Sequence, residues 1–155
     1  MRSFLLASLL LLAWPRLYAA DSIVVGTLTD NRPMDYVPDE CPKDSICLRS
    51  WWLTVVKIEK TVHGPSLSGR VRAAATQHTG LNRYFKHSVR LFVLRPITDA
   101  AERSKLRVSY YLEAMTLPKP MYCLSKNPSE YGLQIDELFV NGTEDKTYCF
   151  ELPSG

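Results

Sequence analysis

The sequence predicts an all-β protein, a small antiparallel barrel or sandwich of about six strands. Short runs of β-branched and aromatic residues alternate between apolar and polar positions, which is the pattern of strands with one buried face. These runs recur at short intervals, and helical patterns are scarce. We therefore expect a closed or two-layered sheet accompanied by one or two short helical turns.

The first two strands flank a proline-rich loop. Residues 22–29 (SIVVGTLT) form the first strand candidate, in which Gly26 predicts a bend or bulge. Residues 30–47 contain three prolines and many acidic or amide side chains, so we expect a loop there. Residues 48–62 are the longest strand candidate and must curve strongly. The His63-Gly64-Pro65 sequence predicts the turn that ends this strand.

Three further strands and a short helix follow. Residues 67–77, 88–94 and 106–115 each carry apolar side chains at every second position. Between the last two of these runs, Thr98 or Asp99 provides a helix cap before residues that favour a helix, so one or two helical turns are expected up to residue 106.

The end of the chain predicts a hairpin. Asn141-Gly142 lies between strand-like runs at residues 138–140 and 147–152, and this dipeptide favours turns that need a positive φ. A helical turn is also expected within residues 129–138. Asn141-Gly142-Thr143 matches the acceptor pattern for N-linked glycosylation, which applies only in a eukaryotic source. The turn explains the same residues without a sugar.

The first twenty residues predict a signal for export. Arg2 precedes an apolar run at residues 4–14, and the small residues Ala19 and Ala20 follow, which is the layout of a secretory signal peptide. The run is about half the roughly 20 residues that a bilayer-spanning helix needs, so we expect no membrane anchor. Residues 21–155 are expected to form a single β-barrel domain, periplasmic if the source is Gram-negative and otherwise secreted.

All four cysteines lie in the predicted exported part. An even number of cysteines in an exported chain predicts two disulfides, and sequence alone leaves three pairings open. We favour Cys41–Cys47 and Cys123–Cys149, because each pair is closest in sequence and is flanked by turn-forming residues. The wide spacing disfavours a four-thiolate metal site, so neither a metal nor another cofactor is expected.

Catalytic motifs are absent from the sequence. It contains no Gly-x-Ser-x-Gly elbow, no His-Glu-x-x-His pattern and no glycine-rich phosphate loop. His63 lies beside a predicted turn, and His78 and His87 flank a predicted loop that contains no carboxylate. We therefore expect a binding protein rather than an enzyme.

Charge is unevenly distributed along the chain. After removal of residues 1–20, 17 basic residues face 16 acidic ones, and this balance argues against a general binder of nucleic acids or membranes. Residues 57–107 nevertheless carry 11 basic and 3 acidic residues, a net charge of +8. The flanking residues 21–50 and 108–155 have net charges of −3 and −4. The middle strands are therefore basic and both flanks are acidic.

Strand alternation predicts a basic binding face. Four arginines lie opposite the apolar positions of their strands, one tyrosine shares their face, and the loop at residues 80–86 adds three more residues. The predicted binding residues are Arg70, Arg72, Arg83, Tyr84, Lys86, Arg90, Arg107 and Tyr111. Arginine and tyrosine suit recognition surfaces, and the expected partner is a protein with an acidic surface or an anionic glycan. Alternatively, these arginines pair with the acidic flanks and serve solubility.

Adjacent tryptophans support a second interpretation. Trp51 and Trp52 must point to opposite faces of a strand, so one is expected in the core and the other outside. An outward tryptophan stacks on sugars or anchors an interface. The alternative function is therefore a small secreted carbohydrate-binding module or a hydrolase. A hydrolase needs two neighbouring carboxylates. The candidates are Asp35, Asp39, Asp136 and Glu137.

The order of the first strands resembles a known family. Residues 24–28 (VVGTL), the strand at 51–58, the turn at Gly64 and the strand at 67–71 are arranged as in netrin-like and TIMP-like modules. The resemblance covers residues 22–115 and implies an OB-type barrel. TIMP-type inhibitors chelate a protease metal through an N-terminal cysteine, which this chain lacks after cleavage. We expect an exported, non-catalytic protein of inhibitor, immunity or envelope-interaction type.

Overall fold

Strands dominate the structure, a computed structural model that describes residues 20–35, 50–77, 87–116 and 121–152. Eight strands, one α-helix and one 3-10 turn lie in these ranges. They are β1 (Ser22–Pro33), β2 (Ser50–His63), β3 (Arg70–Gln77), β4 (Val89–Pro96), α1 (Ala100–Leu106), β5 (Tyr110–Met115), β6 (Tyr122–Leu124), the 3-10 turn (Pro128–Tyr131), β7 (Phe139–Asn141) and β8 (Thr147–Phe150). The predicted β character is confirmed. Residues 1–19 of the predicted signal lie outside the described residues.

Five strands close into a barrel in the order β1-β2-β3-β5-β4, and β4 pairs with β1. All neighbouring pairs are antiparallel except β3 and β5, which meet through Ala73 opposite Tyr110 and Ala74 opposite Tyr111. The barrel prediction is confirmed, but the prediction of a purely antiparallel sheet is wrong. A closed ring of five strands cannot alternate in direction throughout, so at least one pair has to be parallel.

Apolar side chains from all five strands fill the barrel interior, with half-buried residues of β5 packed against a buried cluster from the other four. The buried interior residues are Val24, Leu28, Val56, Ile58, Ala73, Phe92 and Leu94. A buried hydrogen bond also joins the side chains of β1 and β2: Asn31 Nδ2 donates to Thr54 Oγ1 at 3.1 Å. The register of β1 against β2 shifts between Val25 and Gly26, which confirms the predicted bulge at Gly26.

A small three-stranded sheet, in the order β6-β8-β7, packs on the outside of β1 and β4. Its core contains residues from both layers: Ile23, Leu91 and Val93 of the barrel, with Tyr122, Leu124, Leu133 and Phe150. The Cys123–Cys149 disulfide joins opposed residues of β6 and β8, as predicted. Cys41 and Cys47 lie outside the described residues. The predicted hairpin is also confirmed as β7 and β8, but it belongs to this second sheet.

The α-helix covers part of the opposite side of the barrel. Leu106 of α1 packs with Leu53 and Ala74 of the sheet and with Ile97 and Val108 of the flanking connections. The predicted cap is confirmed, since the Asp99 side chain accepts a hydrogen bond from the Glu102 backbone N–H at 2.7 Å. No helix in the described ranges is long and apolar enough to cross a membrane.

Substitution of Gly26 tests the close contact between β1 and β2. A Cβ at Gly26 would overlap the carbonyl oxygen of Lys57 and lie 3.1 Å from Val56 Cγ1. Because a backbone carbonyl cannot move aside easily, we expect Gly26→Ala to lower the free energy of unfolding by about 1–3 kcal/mol. Urea denaturation measures this change, with Thr27→Ala as the neighbouring control. A Gly26→Ala variant as stable as the control would contradict the contact.

We predict that the Tyr122 hydroxyl makes the free energy of unfolding depend on pH. It is buried and has no hydrogen-bond partner among the described residues. Burial, assisted by the charge of Glu59, raises the pKa of Tyr122 above its ordinary value of 10.0. The unfolded chain releases this proton before the folded chain does, so the free energy of unfolding falls as the pH rises above about 10.

We expect Tyr122→Phe to raise the free energy of unfolding near neutral pH by about 1 kcal/mol, because it removes an unpaired buried hydroxyl. The variant should also lose less stability above about pH 10. Urea denaturation between about pH 7 and pH 11 measures both effects. Burial also raises the pKa of Tyr131, so part of the alkaline slope should remain. Superimposable profiles of the variant and the wild type would contradict this expectation.

Candidate functional site

A groove of about 570 Å³ lies on the outer face of β2 and β3, between the end of β1 and the last turn of α1. We call it the basic groove. It is lined by Arg32, Pro33, Met34, Asp35, Leu53, Arg72, Lys105, Leu106 and Arg107. Leu53 and Leu106 are buried and form its apolar floor. Four basic side chains surround this floor: Arg32, Arg72, Lys105 and Arg107.

Strand register places two of these arginines beside the floor. Arg32 of β1 is opposite Leu53 of β2, and Leu53 is opposite Ala74 of β3. Directly opposed residues share one face of a sheet, so the three side chains form a row on the outside of the barrel. Arg72 precedes Ala74 by two positions and therefore shares its face. Arg32 and Arg72 thus lie on either side of Leu53.

The end of α1 forms the remaining wall. Leu106 is 1% exposed and fixes the last helical turn against the sheet. Arg107 then ends the helix in the left-handed conformation, at φ 55°, and its N–H donates to the Arg103 carbonyl at 2.9 Å. Glycine is the usual residue at such a position, because a side chain there costs about 1–2 kcal/mol. The chain therefore places an arginine at the groove despite a backbone conformation that favours glycine.

The electrostatics of the basic groove favour an anionic ligand. Asp35 is the single carboxylate among its lining residues, against four basic side chains. Arg32 Nε lies 3.6 Å from Asp30 Oδ2, but both side chains are well exposed, and such surface pairs contribute little. In the described part of the chain, Arg72 and Arg107 form no ion pair. Guanidinium groups donate paired hydrogen bonds that match a carboxylate or a sulfate.

An aromatic shelf adjoins the basic groove. It consists of Trp51, Tyr111 and Arg95: the two rings are 5.9 Å apart with planes at 38°, and the Arg95 guanidinium lies 5.8 Å from the centre of the tyrosine ring. Arg95 is held in place by an ion pair with Glu113. Trp51 lies on the outer face of β2, as Leu53 does, so the shelf and the groove belong to one surface. The neighbouring Trp52 is on the opposite, inner side of β2 by strand alternation, and both tryptophans are half-buried.

The structure brings together part of the predicted binding face. Arg72 and Arg107 line the basic groove, and Tyr111 belongs to the aromatic shelf. Arg70 is exposed on the same face of β3, beyond the groove and opposite Lys57. The predicted loop residues Arg83, Tyr84 and Lys86 lie outside the described residues. The exposed part of the predicted face is thus concentrated along β3 and at the end of α1.

The prediction that Arg90 lies on the outer face is wrong. Its side chain is 3% exposed, with Nη1 donating to the Thr116 carbonyl at 2.7 Å and Nε donating to Ser88 Oγ at 2.8 Å. Burial lowers the pKa of Arg90 below its ordinary value. Between Arg90 and Leu94 the side chains of β4 point alternately into the barrel and toward the small sheet, so neither face of this part of the strand meets solvent. Arg90 therefore holds the structure together at the edge of the barrel.

Two groove residues were missed by the strand pattern. Arg32 lies beyond residue 29, where the sequence predicts the end of the first strand, but β1 continues to Pro33. A register shift between Leu28 and Asp30 also breaks simple alternation at that point. Lys105 lies on α1 and follows no strand pattern. Its position directly before Leu106, the buried residue of the helix, is the signal that predicts a place beside the floor.

Substitutions of Arg107 distinguish its role in binding from its effect on stability. We expect Arg107→Gly to keep or raise the free energy of unfolding, by up to about 1 kcal/mol, because glycine adopts a left-handed backbone without strain. The same variant should bind anions more weakly than the wild type. Thermal denaturation and titration with a glutamate-rich peptide measure the two effects. Arg107→Ala is the control, because it removes the charge but retains the strain. A glycine variant that is less stable than the alanine variant would contradict the conformational argument.

Metal ligation and relatedness give no further indication of function. In residues 20–35, 50–77, 87–116 and 121–152, no group of three or more His, Cys, Asp or Glu side chains is arranged to hold a metal ion. No family model matches the chain, and no curated protein or solved structure is significantly similar to it. The basic groove is therefore the principal feature from which a function is inferred.

Proposed function

We propose that this chain is an exported, non-catalytic binding protein whose basic groove takes acidic side chains of a partner protein. The observation that carries the proposal is the convergence of Arg32, Arg72 and Arg107, from three separate elements, around the floor of Leu53 and Leu106. Inhibitors, immunity proteins and envelope-interaction factors are proteins of this type. The groove has room for several side chains, so the partner inserts a segment rather than a single ion.

The combination of charge and apolar floor supports a protein partner. Carboxylates of the partner accept paired hydrogen bonds from the arginines, while its aliphatic groups pack on Leu53 and Leu106. Charged pairs at the exposed rim guide association, and the buried floor supplies most of the affinity. A peptide segment with acidic and aliphatic side chains satisfies both requirements.

The position of the groove on the barrel also supports binding. The five-stranded mixed barrel suits the OB-type architecture that the strand order of the sequence implies, and we propose an OB-like fold. OB-type barrels bind ligands on the face of their second and third strands, together with the connections between strands 1 and 2 and strands 4 and 5. Residues 34–35 and residues 105–107 belong to those connections, and both line the basic groove.

Export is the second part of the proposal. It is supported by the signal-like residues 1–20 and by the Cys123–Cys149 disulfide, since such bonds persist in oxidising compartments. The compartment is the periplasm if the source is Gram-negative, and otherwise the protein is secreted. Nucleic acid is a poor candidate ligand in either place.

An anionic glycan is the second candidate ligand, and the aromatic shelf favours it. Trp51 and Tyr111 offer ring faces next to the basic groove, and sugars stack on such faces. A hydrolase is less well supported, because Asp35 is the single carboxylate lining the groove among the described residues. Asp136 and Glu137 line a separate cavity, and Asp39 lies outside the described residues.

Charge removal in the basic groove tests the proposal. We expect the combined Arg32→Gln, Arg72→Gln and Arg107→Gln substitutions to weaken binding of a glutamate- and leucine-containing peptide at least about tenfold, because the anchoring cations are lost. Isothermal titration at low and at physiological salt measures this effect. The matched control carries Lys57→Gln, Arg70→Gln and Arg103→Gln, the same loss of charge outside the groove, and should change affinity by less than about twofold.

Two outcomes would contradict the acidic-peptide proposal. Equal losses in the two triple variants would contradict a specific groove and indicate general charge attraction. Failure of the wild type to bind the acidic peptide, together with binding of an oligogalacturonate that quenches tryptophan fluorescence, would support the glycan candidate instead. Thermal denaturation of each variant separates a loss of binding from a loss of folding.

A further inference from the structure

The strand β7 forms an open edge of the small sheet. It pairs with β8 alone in the order β6-β8-β7, so its other side carries backbone groups without a strand partner in the described part of the chain. Phe139 and Val140 are 51% and 50% exposed, and they are the exposed large hydrophobic residues of the described ranges. Natural edge strands are often kept short or are protected by proline, lysine or a covering segment; β7 is short, with three residues, and contains neither residue type.

A groove with mixed apolar and polar lining lies at the end of the small sheet where β7 begins. It has a volume of about 460 Å³, and Phe139 lines it together with Met121, Ile135 and Leu152. Phe139 is opposite Cys149 and therefore lies on the same face of the sheet as the disulfide, away from the barrel. Phe139 thus belongs both to the strand edge and to the groove, so the two adjoin at the beginning of β7.

The rim of this second groove is acidic. Asp136, Glu137 and Glu151 line it, and no basic residue does. The surrounding residues 121–152 carry six acidic and two basic side chains, a net charge of −4. The surface is therefore opposite in sign to the basic groove, and it lies on the small sheet rather than on β2 and β3.

We propose that β7 is a docking site for an extended basic segment of a partner protein. The backbone of that segment pairs with β7 and adds a fourth strand to the small sheet. Because side chains alternate along a strand, one apolar side chain enters the groove against Phe139 while its neighbours point away. Lysine or arginine side chains of the segment reach Asp136, Glu137 and Glu151 at the rim.

Charge favours such a partner over a second copy of this chain. Two copies joined edge to edge through β7 would bring Asp136 and Glu137 of both near one strand pair, together with Glu144 and Asp145 of the turn that follows β7. Like charges that face each other across a strand pair are destabilising. A basic segment instead neutralises the carboxylates that line the groove, Asp136, Glu137 and Glu151. The site is independent of the proposed function, because it shares no residue with the basic groove.

A synthetic peptide of about eight residues, alternating arginine and valine and carrying a fluorescent label, tests the site with the oxidised protein. Fluorescence anisotropy should show binding by the wild type. The same peptide with backbone N-methyl groups at alternate residues, which cannot donate to β7, should bind at least about tenfold more weakly. A peptide with glutamate in place of arginine should also bind at least about tenfold more weakly.

Variants of the protein locate the site. Phe139→Ser should weaken binding about tenfold by removing the apolar wall, and the pair Asp136→Asn with Glu137→Gln should weaken it several-fold and reduce its salt dependence. The matched control, Glu144→Gln with Asp145→Asn, makes the same charge change at the other end of the hairpin and should alter affinity by less than about twofold. Thermal denaturation verifies that each variant is folded.

The proposal is overturned if the wild type does not bind the arginine peptide or binds the N-methylated peptide equally well. Equal losses in the control and in the Asp136→Asn, Glu137→Gln variant would also overturn it, because general attraction then explains the binding. Analytical ultracentrifugation of the wild type and of Phe139→Ser measures whether two copies of the chain associate through β7. A wild-type dimer that becomes monomeric with Phe139→Ser would identify a second copy of the chain as the occupant.

Discussion

Burial of both faces of β1 at residues 22–26 and of β4 at residues 90–94 is the constraint on which the rest of the structure depends. One row of their side chains fills the barrel, and the other row packs against the small sheet. This side of the barrel is therefore closed to ligands. The face of β2 and β3 remains, and α1 covers it only around Leu106. The basic groove is the part of that face which the helix leaves open.

Alternation in the sequence predicted the barrel strands and the place of the helix, because each strand of the barrel has at least one continuous apolar face. It also placed Arg72 correctly, since β3 has one face toward the barrel and the other toward solvent. The same reasoning failed for Arg90. Alternation distinguishes the two faces of a strand, but it does not indicate which of them points into the barrel. Arg90 is on the barrel-facing side of β4 with Phe92 and Leu94, and the small sheet covers the other side, that of Leu91 and Val93. The strand β6, which has three residues, could not be predicted from so short a pattern, and neither could the separation of the predicted β7–β8 hairpin into a second sheet.

The charge blocks of the sequence become separate surfaces in three dimensions. The basic middle strands meet at the basic groove, which also recruits Arg32 from the acidic N-terminal flank. The acidic residues after position 120 belong to the small sheet and its connections. Segregation of this kind arises because the two sheets are consecutive in the chain, so a block of sequence becomes one side of the molecule. The two grooves consequently share no lining residue and are opposite in charge.

The disulfide has a mechanical consequence for the edge strand. Cys123 and Cys149 are 26 residues apart, and the chain between them includes β7. A pull on β7 from an attached partner is therefore carried by a closed covalent ring rather than by a free end of the chain. The load passes to the bond between β6 and β8 before it reaches the barrel. The segment that contains the exposed strand is thus covalently anchored to the small sheet at both ends.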